Sequence, residues 1–296
     1  MPNESTAPQF SLFLPQMRMS LDVLVERARA AEDAGFTGMA LMDHLAPPMA
    51  EAQPMYEAMA TAMWLVANTE RLVIGHLVLC DAFRHPAVLA REAVALDHAS
   101  GGRFELGIGW GSVPTEFEVF GVGDTAARVR VGRLGETLEV VRGLWTGEPF
   151  TFSGEHFQLV DAQQRPTPLG SIPILIGGSG PRTLELVRRH ADWCNLPIHQ
   201  LDRLDEVRAT VGDDVRISTQ HRVVWVPPGG DRAEIEATAR RRFGGAGMGV
   251  GEAAELVEHF GALNELGVER FYTWFADFAP PETLTGFGEG VIAGWS

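Results

Sequence analysis

Short apolar runs of strand length alternate with longer segments of helical period over most of the chain. Residues 10–14 form the first apolar run, and in residues 21–34 the apolar positions recur on one helical face. Ser20 precedes that segment and suits the N-cap position, while Gly35 follows it, as is typical at the end of a helix. This first pair therefore predicts a strand followed by a helix.

The same alternation continues along the chain and predicts eight strand–helix units. The predicted strands are residues 10–14, 38–42, 71–79, 104–108, 173–178, 192–196, 215–226 and 268–275. The predicted helices lie near residues 21–34, 54–68, 86–99, 125–144, 181–190, 201–209, 252–266 and 281–293. The strands are continuous apolar runs, as expected for buried parallel strands. Eight such units in 296 residues predict a single α/β domain over residues 1–296, a (β/α)8 TIM barrel.

Two segments depart from this rhythm. Residues 145–171, after the fourth strand and its helix, are rich in proline and glycine and predict an insertion with short strands. Residues 244–251, after the seventh strand, predict a glycine-rich loop at the rim of the barrel. An open doubly wound sheet is the alternative fold, but it would normally carry GxGxxG after its first strand, where this chain has Pro15-Gln16-Met17.

Charge and composition narrow the classes of function. The chain has 24 basic and 39 acidic residues, a net charge of −15, so we expect no nucleic-acid partner. All the basic side chains other than histidine are arginines, which excludes a Schiff-base lysine, a pyridoxal enzyme and a Walker-type phosphate loop. The N-terminus does not read as a signal peptide, and no apolar stretch approaches about 20 residues. We therefore expect a cytoplasmic protein without a membrane partner, in which Cys80 and Cys194 are reduced thiols.

The strongest candidate site follows the fifth predicted strand. Its residues are Gly177, Gly178, Ser179 and Gly180. Pro181 then suits the first position of a helix, whose free N–H groups and dipole favour an anion such as a phosphate. Arg182 or Thr183 could add a side-chain donor. The alternative is a glycine-rich turn that starts a helix and binds nothing.

Two further junctions carry candidate chemistry. Asp43 and His44 follow the second strand, where an acidic residue beside a histidine could contact a cofactor ring and move a proton near neutral pH. After the fourth strand, Gly107 and Gly109 leave room for a flat ring, and Trp110 offers an apolar wall. The alternatives are a surface Asp–His pair and a flexible turn with an aromatic core anchor. The histidine spacings match no metal motif, so we expect no metal site.

Taken together and in order, these junctions resemble the luciferase-like monooxygenase superfamily, particularly its deazaflavin-dependent (coenzyme F420) oxidoreductases. The matching segments are residues 42–44, 84–86, 101–104, 107–110, 177–184 and 190–192. The resemblance implies a TIM barrel with an insertion that helps to cover the site, usually assembled as a homodimer. Residues 193–195 read Trp-Cys-Asn where the family more often has Gly-Trp-Asn, and His76 stands where many relatives have a smaller hydroxyl residue. The resemblance therefore does not predict which substrate this protein uses.

The resemblance also implies roles for individual residues. Asp43 and His44 would lie against the deazaflavin ring, with His44 as proton donor or acceptor. Leu79 and Cys80 would lie at a bulge in the third strand that backs the ring, often through a non-proline cis peptide. Gly107 and Gly109 would line the ring, and residues 177–180 would hold the phosphate.

The cofactor decides the chemistry. With a deazaflavin, the resemblance implies hydride transfer to or from a small organic substrate. With FMN, the same scaffold would be a monooxygenase. A third possibility, of another class, is a flavin-binding protein without catalytic activity.

Overall fold

The computed structural model describes residues 7–48, 50–124, 126–244 and 248–295. The strands within these ranges are β1 (Gln9–Phe13), β2 (Gly38–Leu41), β3 (Val73–His76), β4 (Leu79–Cys80), β5 (Leu106–Gly109), β6 (Phe150–Ser153), β7 (Gln158–Ala162), β8 (Ile174–Gly177), β9 (Trp193–Leu196), β10 (Arg216–Trp225), β11 (Met248–Gly251) and β12 (Arg270–Phe275). The α-helices are α1 (Leu21–Asp33), α2 (Ala58–Val66), α3 (Pro86–Ser100), α4 (Pro114–Phe120), α5 (Ala127–Trp145), α6 (Pro181–His190), α7 (Leu204–Val211), α8 (Arg232–Phe243), α9 (Ala253–Glu265) and α10 (Pro281–Gly290).

The parallel strands form a closed barrel, which confirms the predicted TIM-barrel fold. Around the wall the described strands follow the order β3, β2, β1, β12, β10, β9, β8, β5 and β4. β3 and β4 are two halves of the third barrel strand. β3 pairs with β2, β4 pairs with β5, and the N–H of Ile74 donates to the carbonyl of Arg103 at 2.8 Å, so this strand closes the ring.

The helix boundaries follow the local signals in most units. Ser20 caps α1 by accepting a hydrogen bond from the N–H of Val23 at 3.3 Å. The bounds of α6 coincide with the predicted residues 181–190. His85 caps α3 through its Nδ1, which accepts from the N–H of Ala87 at 3.2 Å, and Pro86 occupies the first turn. His85 is therefore a helix-capping residue.

The predictions were wrong at several places. Two helices, α4 and α8, were missed, because α4 has only seven residues and α8 buries one side chain, Ala239, so neither shows a clear apolar stripe. The predicted strand over residues 71–79 is not continuous, because a non-proline cis peptide bond, of the kind that the resemblance implied for this strand, lies between Leu77 and Val78. Within residues 244–251, Met248–Gly251 is a strand beside β10 and not a loop. The predicted helix start at Thr125, residues 245–247 of the glycine-rich segment and residues 1–6 of the N-terminus lie outside the described residues.

A two-stranded antiparallel sheet lies between α5 and β8. It consists of β6 and β7. The turn between them is held by the Glu136 carboxylate of α5, which accepts hydrogen bonds from the N–H groups of Glu155, His156 and Phe157 at 2.6–3.0 Å. This small sheet therefore packs beside α5, outside the barrel wall.

The lower end of the barrel, where the strands start, contains a closed network of polar side chains. Arg270 Nη1 donates to both Glu105 oxygens at 2.7 and 2.8 Å and to the Tyr272 hydroxyl at 2.9 Å. The Tyr272 hydroxyl donates in turn to Glu105 at 2.9 Å. The Arg270 guanidinium also lies 3.7 Å from the centre of the Trp193 ring. We call these residues the base network.

The two cysteines are buried and unpaired. Burial raises the pKa of both thiols to about 12. Within the described ranges, none of the helices has the length and apolarity needed to cross a membrane.

Candidate active site at the mouth of the barrel

A cavity of about 290 Å³ lies where β2, β4, β5 and β8 end. It brings together eight of the residues singled out from the sequence. They are Asp43, His44, Leu79, Cys80, Gly109, Trp110, Gly177 and Gly178. Six other residues complete the lining: Leu77, Val78, Gly111, Ser112, Glu116 and Phe117. The carboxyl ends of barrel strands are where catalytic groups gather in this fold.

His44 is held by Glu116, a residue that the sequence analysis missed. Nδ1 of His44 lies 2.7 Å from one carboxylate oxygen of Glu116. The other oxygen accepts from the N–H groups of Leu45 and Ala46 at 2.7 and 3.3 Å. Glu116 is 8% exposed, so its two oxygens fix both the histidine ring and the backbone behind it. With Nδ1 held in this way, Nε2 is the nitrogen left to exchange a proton.

Asp43, next to His44 in sequence, has different partners. Its carboxylate accepts from the N–H of Cys80 at 2.8 Å and from two nitrogens of Arg84 at 2.6 and 3.1 Å. The Arg84 guanidinium also pairs with Glu57, and these two carboxylates raise the pKa of Arg84 against the opposing effect of burial. Asp43 lines the cavity, but its hydrogen bonds attach β4 and the start of α3 to the end of β2.

Val78 forms the wall between the two glycine-rich junctions. A Cβ atom added at Gly109 would lie 2.8 Å from Val78 Cγ2, and one added at Gly177 would lie 3.4 Å from Val78 Cγ1. Both glycines therefore let the Val78 side chain pack directly against the ends of β5 and β8, and the three residues form one wall of the cavity. Leu79 and Cys80 line the cavity, but the cis peptide bond lies two residues earlier, between Leu77 and Val78.

Gly107 and His76 lie outside this space. A Cβ atom at Gly107 would lie 1.8 Å from the His76 carbonyl oxygen, so glycine is needed there for close contact between strands. The His76 ring faces α2, with Nε2 3.3 Å from the carbonyl oxygen of Ala58 and no partner at Nδ1 among the described residues. Burial lowers the pKa of His76 to about 4. Both residues are structural.

The predicted phosphate loop stands at the end of β8, beside the cavity. Gly178 has φ of +124°, a conformation that favours glycine. The first hydrogen bond within α6 is donated by the N–H of Leu184 to the carbonyl of Gly180 at 2.9 Å. The N–H groups of Arg182 and Thr183 precede that bond, as expected at a helix start. The Arg182 side chain is exposed.

Two of the loop's side chains have partners within the protein. The Ser179 hydroxyl donates to Gln200, and Arg203 donates to the same Gln200 oxygen at 3.1 Å. Thr183 accepts a hydrogen bond from the indole Nε1 of Trp110 at 3.2 Å. The backbone of the loop is therefore the part that remains available to an anion.

Arg130 of α5 supports the Trp110 side of the cavity. Its guanidinium lies 4.8 Å from the ring centres of Trp110 and Phe117 and donates to the carbonyl of Gly111 at 3.2 Å. All three of these partners line the cavity. Arg130 is 5% exposed, and burial lowers its pKa. It therefore fixes the segment that leads into α4 and Glu116.

The cavity fits a ring-bearing cofactor with a phosphate, because its wall of Val78, Gly109 and Gly177 adjoins a glycine loop at a helix start. In the described ranges, His, Cys, Asp and Glu side chains form no group of three suited to a metal ion.

The profile of the luciferase-like monooxygenase family matches residues 3–284 of the chain. Among curated proteins, an F420-dependent glucose-6-phosphate dehydrogenase from Nakamurella multipartita is 35% identical over 173 residues, covering 57% of this chain and 50% of that protein. The corresponding protein from Microbacterium testaceum is 36% identical over 163 residues, covering 55% and 48%. The chain thus matches about half the length of these relatives.

Three solved structures resemble the fold closely. An F420-dependent secondary alcohol dehydrogenase with an F420–acetone adduct superposes with a TM-score of 0.82 and 19% identity, covering 97% of this chain and 99% of that one. The coenzyme F420-dependent tetrahydromethanopterin reductase from Methanopyrus kandleri gives 0.81 and 16%, covering 98% and 100%. Riboflavin lyase with modified FMN gives 0.80 and 17%, covering 97% and 91%. At these identities the likeness shows the fold.

Proposed function

Because the chain belongs to the luciferase-like monooxygenase family, we propose that it is an oxidoreductase that transfers hydride between an F420-type deazaflavin and a small organic substrate. The observation that carries this proposal is the cavity itself. It combines a wall of Val78 and two glycines, a glycine loop at the start of a helix and one histidine oriented by a buried carboxylate. The curated relatives named as F420-dependent dehydrogenases support the choice of cofactor.

The protein contributes position and proton transfer to this reaction. The deazaflavin, when bound, supplies the carbon that gives or receives hydride. Val78, Gly109 and Gly177 form the wall for its ring, and the N–H groups at the start of α6 bind its phosphate. His44 Nε2 holds or receives the proton that accompanies hydride transfer at the substrate oxygen or nitrogen. Glu116 orients the ring of His44 and does not itself need to reach the substrate.

We also propose that the protein is a homodimer. Several large apolar side chains on and near α2 and α3 are exposed: Tyr56, Met63, Trp64 and Val88. Exposed apolar groups on neighbouring elements are typical of a protein–protein contact. Light scattering over a concentration series tests this assembly, and a monomer at all concentrations would contradict it.

Titration with the two cofactors tests the proposed function. We expect the purified protein to bind the F420-type deazaflavin, followed by its fluorescence, and to bind FMN more weakly. Gly109→Val adds a side chain whose Cβ would lie 2.8 Å from Val78 and would displace it on the cavity wall, so this variant should weaken deazaflavin binding at least tenfold. Gly170→Val adds a side chain where nothing lies within 4 Å and serves as the control. Tight FMN binding without deazaflavin binding would favour the FMN-dependent monooxygenase.

Turnover separates the enzyme from a binding protein without activity. The holoprotein should catalyse deazaflavin-dependent oxidation or reduction of at least one member of a panel of alcohols, carbonyls and imines. Deazaflavin binding without turnover of any panel member would favour the non-catalytic function.

A further inference from the structure

Arg222 lies on the wall of the mouth opposite Val78. β10 is the seventh strand of the barrel wall and β3–β4 is the third, so the two stand four strands apart and face each other across an eight-stranded barrel. Arg222 pairs in register with Trp274 of β12. Trp274 contacts Phe13 and packs against the apolar cluster inside the barrel, against which Val78 also packs. Since register partners on parallel strands point to the same side, Arg222 also points inward.

The charge of Arg222 is not neutralised by a neighbouring side chain. Within the described ranges, its guanidinium forms no ion pair with a carboxylate, and its one hydrogen bond runs from Nη1 to the carbonyl oxygen of Phe243 at 2.7 Å. Its other contacts are the faces of Phe243 and Trp274, with ring centres 5.6 and 5.8 Å away. The remaining N–H groups of its guanidinium have no acceptor among the described residues.

A second donor beside Arg222 also lacks a partner. The indole Nε1 of Trp274 is buried and has no acceptor among the described residues. Leaving such a group unpaired is unfavourable, so a ligand oxygen that accepts from it would be stabilised. The rest of this wall is aromatic, because the Trp274 ring lies 5.5 Å from Phe13 and 4.8 Å from Phe243.

We propose that Arg222 and Trp274 form a substrate subsite for a carboxylate attached to a flat, apolar body. The guanidinium fork matches the two oxygens of a carboxylate, and the aromatic side chains pack against the body. A phosphate dianion is a poorer match, because this wall offers a single cation. The subsite rests on the proposed function, which puts the ring of the cofactor against Val78 and the substrate between that ring and Arg222.

Calorimetric titration with small probes tests the subsite. The probes are 3-phenylpropionate, its uncharged amide 3-phenylpropionamide, and inorganic phosphate, each measured with and without saturating deazaflavin. We expect 3-phenylpropionate to bind at least tenfold more tightly than the amide or phosphate. Equal affinity for the acid and the amide would overturn the role of charge, and tighter binding of phosphate would overturn the choice of carboxylate.

Variants separate recognition from a structural role. Arg222→Met should weaken 3-phenylpropionate binding at least tenfold while leaving the amide unchanged, and Arg222→Lys should retain part of the preference. Trp274→Phe keeps an aromatic ring but removes the indole N–H, so it should weaken the binding of 3-phenylpropionate a few-fold. Arg128→Met, an exposed arginine of α5, is the control and should change nothing.

Melting temperatures of all the variants identify loss of folding. If Arg222→Met is unstable, the subsite is tested with Arg222→Lys and Trp274→Phe. An unchanged preference for 3-phenylpropionate over its amide in both variants would overturn the proposal. An Arg222-dependent preference without any deazaflavin binding would contradict the proposed function but leave the subsite standing. Deazaflavin binding with no Arg222 dependence would contradict the subsite alone.

Discussion

At the lower end of the barrel the buried polar side chains bond to one another, whereas at the mouth one side chain, His44, has a partner at only one ring nitrogen among the described residues. Glu105, Arg270 and Tyr272 share four hydrogen bonds of 2.7–2.9 Å in the base network. At the mouth, His44 is held through one nitrogen only. A closed network contributes to stability and specificity of folding, while a side chain held at one end is oriented and still available to a ligand. The base network therefore serves structure, and His44 is the mouth residue that we propose for proton transfer.

Breaking the base network should have the largest effect. Arg270→Met leaves the Glu105 carboxylate buried beside a hydroxyl without its cation, and we expect the free energy of unfolding to fall by about 3–5 kcal/mol in urea denaturation. The control is Arg189→Met, which breaks an exposed pair with Glu139 and should cost about 0–1 kcal/mol. Similar losses for the two variants would remove the distinction between buried and exposed pairs.

At the mouth, the expected loss is in activity and not in stability. His44→Ala removes the group that exchanges a proton, so turnover should fall roughly 10²–10³-fold, as for loss of a general acid or base. Deazaflavin affinity and the urea midpoint should stay close to those of the parent protein. Full turnover by this variant would exclude His44 from the mechanism.

Acid should act on a third region, the outer side of the barrel wall, where His76 packs against α2. Burial lowers the pKa of His76 to about 4, below its ordinary value of 6.5, so the folded state binds this proton less well than the unfolded state. Neutral His76 therefore makes its full contribution to the free energy of unfolding above pH 6.5. As the pH decreases from 6.5 to about 4, the free energy of unfolding falls by up to about 3 kcal/mol.

Urea denaturation at several pH values checks this effect. His76→Gln should flatten the decline in this range, leaving the part that comes from the other histidines whose pKa burial lowers: His221, to about 3, and His190 and His259. The control is His199→Gln, an exposed histidine, which should leave the slope unchanged. An identical decline in His76→Gln and the parent would contradict the prediction.

The smallest effect is expected where one mouth residue acts through another. Glu116→Gln keeps an oxygen for the Leu45 N–H but removes the charge beside His44, so kcat should fall about tenfold with KM nearly unchanged. Glu118→Gln, an exposed carboxylate on the same short helix, is the matched control. Equal activity of the two variants would mean that Glu116 only binds the backbone N–H groups of Leu45 and Ala46 and does not act on His44.

The sequence alone predicted the barrel and most of the residues that line the candidate site. Strand and helix periodicity are local properties, and so are the signals that start a helix, which is why α1 and α6 were predicted well. The glycine loop at residues 177–180 is also a local signal. A strand end followed by a helix that begins with proline leaves the N–H groups of the first helical turn without partners. The helices α4 and α8 were not predicted, because their apolar residues do not recur with a clear helical period.

Only the tertiary structure decided what each polar residue does. Asp43 and His44 are neighbours in sequence, but Asp43 is bonded to Arg84, 41 residues away, and His44 to Glu116, 72 residues away. Gly109 borders the cavity and Gly107 does not, because different parts of the third strand lie against them. Local pattern fixes which backbone elements form, while the pairing of side chains depends on which distant segments the closed barrel brings together.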